Sequence, residues 1–466
     1  MIRRLSFACV LLVLGSGPAQ AQVPYGQHLV PTRSALARVG LERHWMAAVP
    51  LYRTERVLAI GVADTLLFAQ TNYGNLHAYD AESGQYLWTV DLGRPTGAAS
   101  PASVNSYAVF ITNANYLYAL DRRSGRPIWT AELPALPTSP TACDEHRVMV
   151  GLQNGKVYAY MGRLQKIQVA TPTGSREEIK PTPDIAWNWM TNGVVTGRPL
   201  PAGPVAAFGS SDSKVYVAQS EAPVMIYRFN AAGPVVAPLA GHGTRTLLIP
   251  SVDKNVYALD LWTAETKWIH STGAPVETEP LVAGDDIYVV NSAGMLSSLD
   301  PNTGAARWIV PTHGGRLLSV GQSRVYLESE NDDLFIVDRG TGQTVADPRT
   351  TFVRAGLNLR EFTLGPTNRQ NDRLYIGTPS GLLFAAREIG QLTPRLLRDP
   401  KAPPFGYVPP EGINLSPTPP PVKPGEAGTE APAETPGEEK PMEEKPGEEK
   451  KEEMPKEDMP KEGDAK

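Results

Sequence analysis

An eleven-residue unit, Ala78-Tyr79-Asp80-Ala81-Glu82-Ser83-Gly84-Gln85-Tyr86-Leu87-Trp88, recurs along this chain and restricts what it can fold into. It returns as Ala119, Asp121, Gly125 and Trp129. It returns again at Asp260 with Trp268, at Asp300 with Gly304 and Trp308, and at Asp338 with Gly342. Self-similarity at a period of about 40 residues is the mark of a repeat architecture. Within the first unit, apolar runs of strand length fall at 57–60, 66–69, 76–79 and 86–90, and the turns between them carry glycine. Four short strands per unit of about 40 residues predict a propeller blade rather than a helical solenoid. The expected class is all-β.

The weaker units keep the register. The third has its strand at 156–160, but a polar stretch from 162 to 183 follows, and Trp187 stands after it. Trp187 is read as the third blade's tryptophan, delayed by an insertion. Tyr227 takes the tryptophan position in the fourth. Ala264 replaces glycine in the fifth, and Ala346 replaces tryptophan in the seventh. The last unit, with strands at 374–377 and 382–385, has no tryptophan strand. The start of the chain has one to spare, at 44–49, carrying Trp45. A ring that failed to join its ends would expose two sheet edges. The chain is therefore expected to form an eight-bladed propeller of four-stranded blades, closed by its N-terminal strand. Seven blades with an added hairpin is the alternative.

The ends differ from the middle. Arg3 and Arg4, an apolar run, and Ala19-Gln20-Ala21 predict a signal peptide over 1–21 and an exported protein. Residues 22–43 read as a leader in which Thr32 caps a short helix. The propeller is expected over 44–398. From 399 to 466 proline, glutamate and lysine dominate, and apolar residues are too few to offset chain entropy, so a disordered tail is expected. The net charge of −5 sits in that tail, leaving the rest close to neutral. No basic block suggests nucleic acid, and no apolar stretch after the signal is long enough to span a membrane.

The motif has a physical reading. Aspartate accepts backbone N–H groups across the turn, and glycine adopts a shape other residues resist. The small residue leaves room for an indole, which buries a large flat area between neighbouring sheets. The residues assigned to this structural role are Trp45, Ala78, Asp80, Gly84, Trp88, Ala119, Asp121, Gly125, Trp129, Trp187, Asp260, Trp268, Asp300, Gly304, Trp308, Asp338 and Gly342. Trp187 and Trp189 are read as pointing to opposite faces of one strand, which makes Trp189 the candidate contact for a protein partner.

These units resemble the tryptophan-docking motif of the PQQ-like, quinoprotein-type propellers. That family implies two functional classes. One is the PQQ-dependent dehydrogenases, which hold the quinone and calcium in a central channel, typically against a disulfide of adjacent cysteines. The other is the cofactor-free propellers, including BamB-like components of outer-membrane barrel assembly. The only cysteines here are Cys9, inside the signal, and Cys143. The seven histidines show no zinc spacing, and the recurrent aspartates belong to turns. The expectation is a non-enzymatic scaffold with no cofactor, no metal and no catalytic residue. Its partners would be proteins of the cell envelope. The alternative is a PQQ-dependent dehydrogenase.

Overall fold

The computed structural model describes residues 30–409 except 96, 172, 173 and 181. The expected signal peptide and the chain beyond Pro409 lie outside the described residues. Seven four-stranded antiparallel sheets follow one another in chain order, and an eighth closes the ring. Blade one is Val57–Ala63, Leu66–Thr71, Asn75–Asp80 and Tyr86–Asp91; blade two ends at Pro127–Glu132 and blade three at Ile185–Met190. Blades four to seven end at Met225–Asn230, Thr266–Ser271, Ala306–Pro311 and Thr344–Ala346. Blade eight takes Leu374–Gly377 and Leu382–Glu388 from the end of the chain and Leu41–Ala48 from its start. Trp45 pairs with Ala385 and Ala48 with Leu382. A bridge from Leu364 to Gly377 occupies that blade's innermost position. Eight blades, closed by the N-terminal strand, are what the repeat predicts.

The insertion after the third strand of blade three is a hairpin, Lys166–Thr171 with Gly174–Ile179, and Trp187 then pairs with Ala159 as the blade's outer strand. The expected opposition of Trp187 and Trp189 is corrected. Residues two apart on a strand share a face. Trp187 is buried, and Trp189 lies half-buried in the same cluster, against blade four. Trp189 is not an exposed contact.

Two boundaries also move. The strand placed at 44 begins at Leu41, and the helix before it belongs to the core. Helix α1, Arg33–Arg38, is capped by Thr32, whose hydroxyl accepts from the Ala35 N–H. Helix α2, Thr351–Ala355, has no counterpart in the sequence reading. Leu36 and Val39 pack with Phe352, Ala355 and Ala346 in one cluster. Blade seven has no indole to dock and blade eight no motif turn to receive one, so the helix pair fills that interface.

The tail begins later than 399. Residues 395–409 run round one face over the turns of blades eight, seven, six, five and four. The Asp372 N–H donates to Arg395 O and the Gly284 N–H to Leu397 O. The Gly406 N–H donates to Thr244 O, and Phe405 is buried against Gly241. A C-terminal strap therefore holds five blades together from outside the sheets.

Candidate functional site

Each motif builds the same joint. Asp80 Oδ1 accepts from the N–H and hydroxyl of Ser83, and Asp121 repeats this with Ser124. Asp300 and Asp338 do so with Thr303 and Thr341. These bonds hold Asp121 and Asp338 below the ordinary carboxylate range, and Asp300, held first by Arg307, at about 2. The turn aims the backbone of the residue after the aspartate at the preceding blade. Trp45 Nε1 donates to Ala81 O at 2.9 Å, Trp88 to Arg122 O at 3.0 Å and Trp129 to Gly162 O at 2.9 Å. Trp187 reaches Ser220 O at 2.7 Å, Trp268 reaches Pro301 O at 2.9 Å and Trp308 reaches Arg339 O at 2.9 Å. Four of these indoles, Trp45, Trp88, Trp268 and Trp308, also lie against the next motif's glycine. A Cβ at Gly84 would fall 2.5 Å from the Trp45 ring, and one at Gly304 2.5 Å from Trp268. Ala78 and Ala119, wholly buried, sit opposite Trp88 and Trp129 across their own sheets.

The two departures between blades four and five compensate each other. Tyr227 replaces tryptophan, and its hydroxyl still reaches Leu261 O at 2.9 Å. Ala264 stands at the glycine position with φ 60°. Its methyl group is tolerated where the docked ring is not an indole.

The repeat residues are therefore consumed by blade-to-blade packing. Convergent polar groups meet elsewhere, at the axis. Arg198 Nη2 lies 3.0 Å from Glu279 Oε1, and Arg369 Nη2 lies 3.0 Å from Glu279 Oε2. These residues enter from blades four, six and eight, alternate members of the ring, and such blades can meet only on the axis. Glu279 is nearly inaccessible, and both arginines are about one-third exposed, toward the channel. Enclosure draws the Arg369 guanidinium below its ordinary range, Glu279 opposing the shift and Arg198 adding to it.

A cavity of about 550 Å³ opens beside the triad, lined by the inner strands of blades one to four and by Arg369. Ser103, Asn105, Ser106 and Cys143 contribute to its wall. Burial pushes the Cys143 thiol up to about 11, well away from a reactive thiolate. Sequence reasoning missed the triad. Its signal was a repeated residue-proline pair at the entry to the inner strand: Ser100-Pro101, Ser139-Pro140, Arg198-Pro199, Ala237-Pro238 and Glu279-Pro280. Arg369 precedes no proline and carries no such mark.

A second polar cluster seals the ring. Glu82, in the first motif turn, contacts His44 Nε2 at 3.0 Å and Arg373 Nη2 at 3.3 Å, both in blade eight. Arg373 is fully buried and also pairs with Asp372 at 3.1 Å. Among the described residues, no group of three or more His, Cys, Asp or Glu side chains could hold a metal ion. No helix there is long and apolar enough to cross a membrane.

The chain matches the family model described as outer membrane protein assembly factor BamB over residues 31–185 and 203–403. It is 24% identical over 344 residues to the outer membrane protein assembly factor BamB of Moranella endobia (strain PCIT), a match spanning 69% of this chain and 72% of that protein. Its fold is similar to that of BamB from Moraxella catarrhalis, with a TM-score of 0.57 and 14% identity over 75% of this chain and 98% of that one. It is likewise similar to the computationally designed Ika8 protein, at a TM-score of 0.55 and 13% identity, covering 72% of this chain and 96% of that one. With tryptophan docking at six of the eight joints and most of its length matched, the chain belongs to the BamB family of PQQ-like β-propellers.

Proposed function

We propose that this protein is an exported, non-enzymatic scaffold of the bacterial cell envelope that binds other envelope proteins during outer-membrane protein assembly. The observation that carries the reading is the family match across both halves of the ring. The sequence of residues 1–21 supports export to the periplasm.

The quinone-dependent alternative finds little support in the residues. The chain has no adjacent cysteines, and the motif aspartates are engaged in their own turns.

Removing the gene from its host should lower the amount of folded barrel proteins in the outer membrane and admit large antibiotics. The full gene should restore both, and a form lacking residues 1–21 should restore neither. An unchanged outer membrane would overturn the proposal. So would stoichiometric PQQ binding with calcium-dependent dye reduction by the purified protein.

A further inference from the structure

The axis holds more positive charge than its own carboxylate neutralises. Arg198 and Arg369 share Glu279, each approaching it through Nη2. A guanidinium has five N–H donors, so donors remain on both. Arg122, the other arginine on the cavity wall, is matched by Asp64 and by Thr65. Glu145 stands exposed at the rim, accepting from Ser106. Within the triad one guanidinium charge is left unmatched, and both arginines face the cavity. Stability is a weak explanation of the arrangement, because an ion pair whose carboxylate is buried gains little over an apolar replacement.

We propose that the axial cavity is a binding site for a small carboxylate or phosphate anion, held between Arg198 and Arg369. The planar fork of arginine matches either group in two-point contact. A volume of about 550 Å³ is within the range of small-molecule sites. Ser103, Asn105 and Ser106 offer polar contacts to the rest of the ligand, and the opening lets it enter without a change of fold. This site is separate from the scaffold role and stands or falls without it.

The test titrates the full chain with inorganic phosphate and, separately, with succinate, the ionic strength being held constant with chloride. Calorimetry reads binding, and the alkylation rate of Cys143, followed on its own peptide, reads occupancy of the same cavity. Saturable one-to-one binding of either anion, with Cys143 slowed severalfold, is expected. Phosphate alone or succinate alone would identify the source of the ligand. Arg198→Gln and Arg369→Gln should each weaken binding about tenfold, the loss of one charge-assisted contact. Arg360→Gln, an exposed arginine elsewhere, should leave it unchanged.

Glu279→Gln should act in the opposite direction and tighten binding severalfold, because it releases both guanidinium groups. A merely destabilised protein would not bind more tightly. Heat that tracks ionic strength alone, an unchanged Cys143 rate, or weaker binding by a folded Glu279→Gln protein would overturn the proposal.

Discussion

The indole N–H of Trp45 lies 2.9 Å from the carbonyl oxygen of Ala81, and this bond joins the last blade of the ring to the first. Trp45 belongs to a strand paired with Leu382–Glu388, so one side chain ties the start of the chain to its end and to the next sheet. Every other indole joins blades that are already consecutive in sequence. Closure therefore depends on a contact that no local segment can supply.

Trp45→Ala should destabilise the protein by about 3–5 kcal/mol, as large buried aromatics do when truncated. Trp129→Ala, at an interior joint, is the matched control. Deleting the chain through Val49 should go further and yield aggregation, because the edge of Leu382–Glu388 is then exposed. Urea unfolding and light scattering distinguish the two effects. A soluble monomer with unchanged unfolding after that deletion would refute closure.

The glycine positions should respond asymmetrically. Gly125 has φ 68° and carries the Trp88 ring on its face. Gly125→Ala should cost about 2–4 kcal/mol, combining a strained left-handed residue with overpacking. Ala264→Gly, at the same turn under Tyr227, should change stability by less than about 1 kcal/mol. Thermal melts of the two variants decide the matter.

Acid should loosen the seal at His44. Burial lowers its pKa first of all; Glu82 opposes the shift, and Arg373 and Arg387 add to it. The folded protein thus binds this proton more weakly than the unfolded chain, whose histidine titrates near 6.5. Stability from neutral His44 is complete above about 6.5 and is lost as the pH falls through the lower folded-state value. His77, His242 and His270 are lowered by burial too. His44→Gln should therefore reduce, without abolishing, the fall in urea midpoint between about pH 7.5 and 5. An equal fall in both proteins would remove His44 from the account.

The strap sets where the chain can be cut. Ending it at Pro409 should leave the melting temperature unchanged. Ending it at Arg398 should lower it by several degrees, because Phe405 leaves its place on Gly241. Phe405→Ala should cost about 3 kcal/mol, the low end for a phenylalanine at the margin of a core. Equal melting of the two truncated forms would show that the strap adds nothing.

The sequence by itself determined the blade, the number of blades and the way the ring closes. Those follow from a turn whose parts, Asp80, Gly84 and Trp88, lie within nine residues and act through short-range hydrogen bonds and one docked ring. The missing tryptophan of the last unit and the spare Trp45 were legible together because they are two halves of one count. Trp189 departs from the sequence expectation because residues two apart on a strand share a face, here the one packed on blade four. What only the tertiary structure decided is held by contacts between residues far apart in the chain. The α1–α2 pair replaces the absent indole of blade seven, and its apolar stripes are too short to show a helical period. The part of the strap beyond 398 looks like tail by composition, and its burial depends on the turns it crosses. Arg198, Glu279 and Arg369 are ordinary charged residues until a ring of eight blades brings three of them to one axis. Closure of the ring, more than any spacing in the sequence, makes that site.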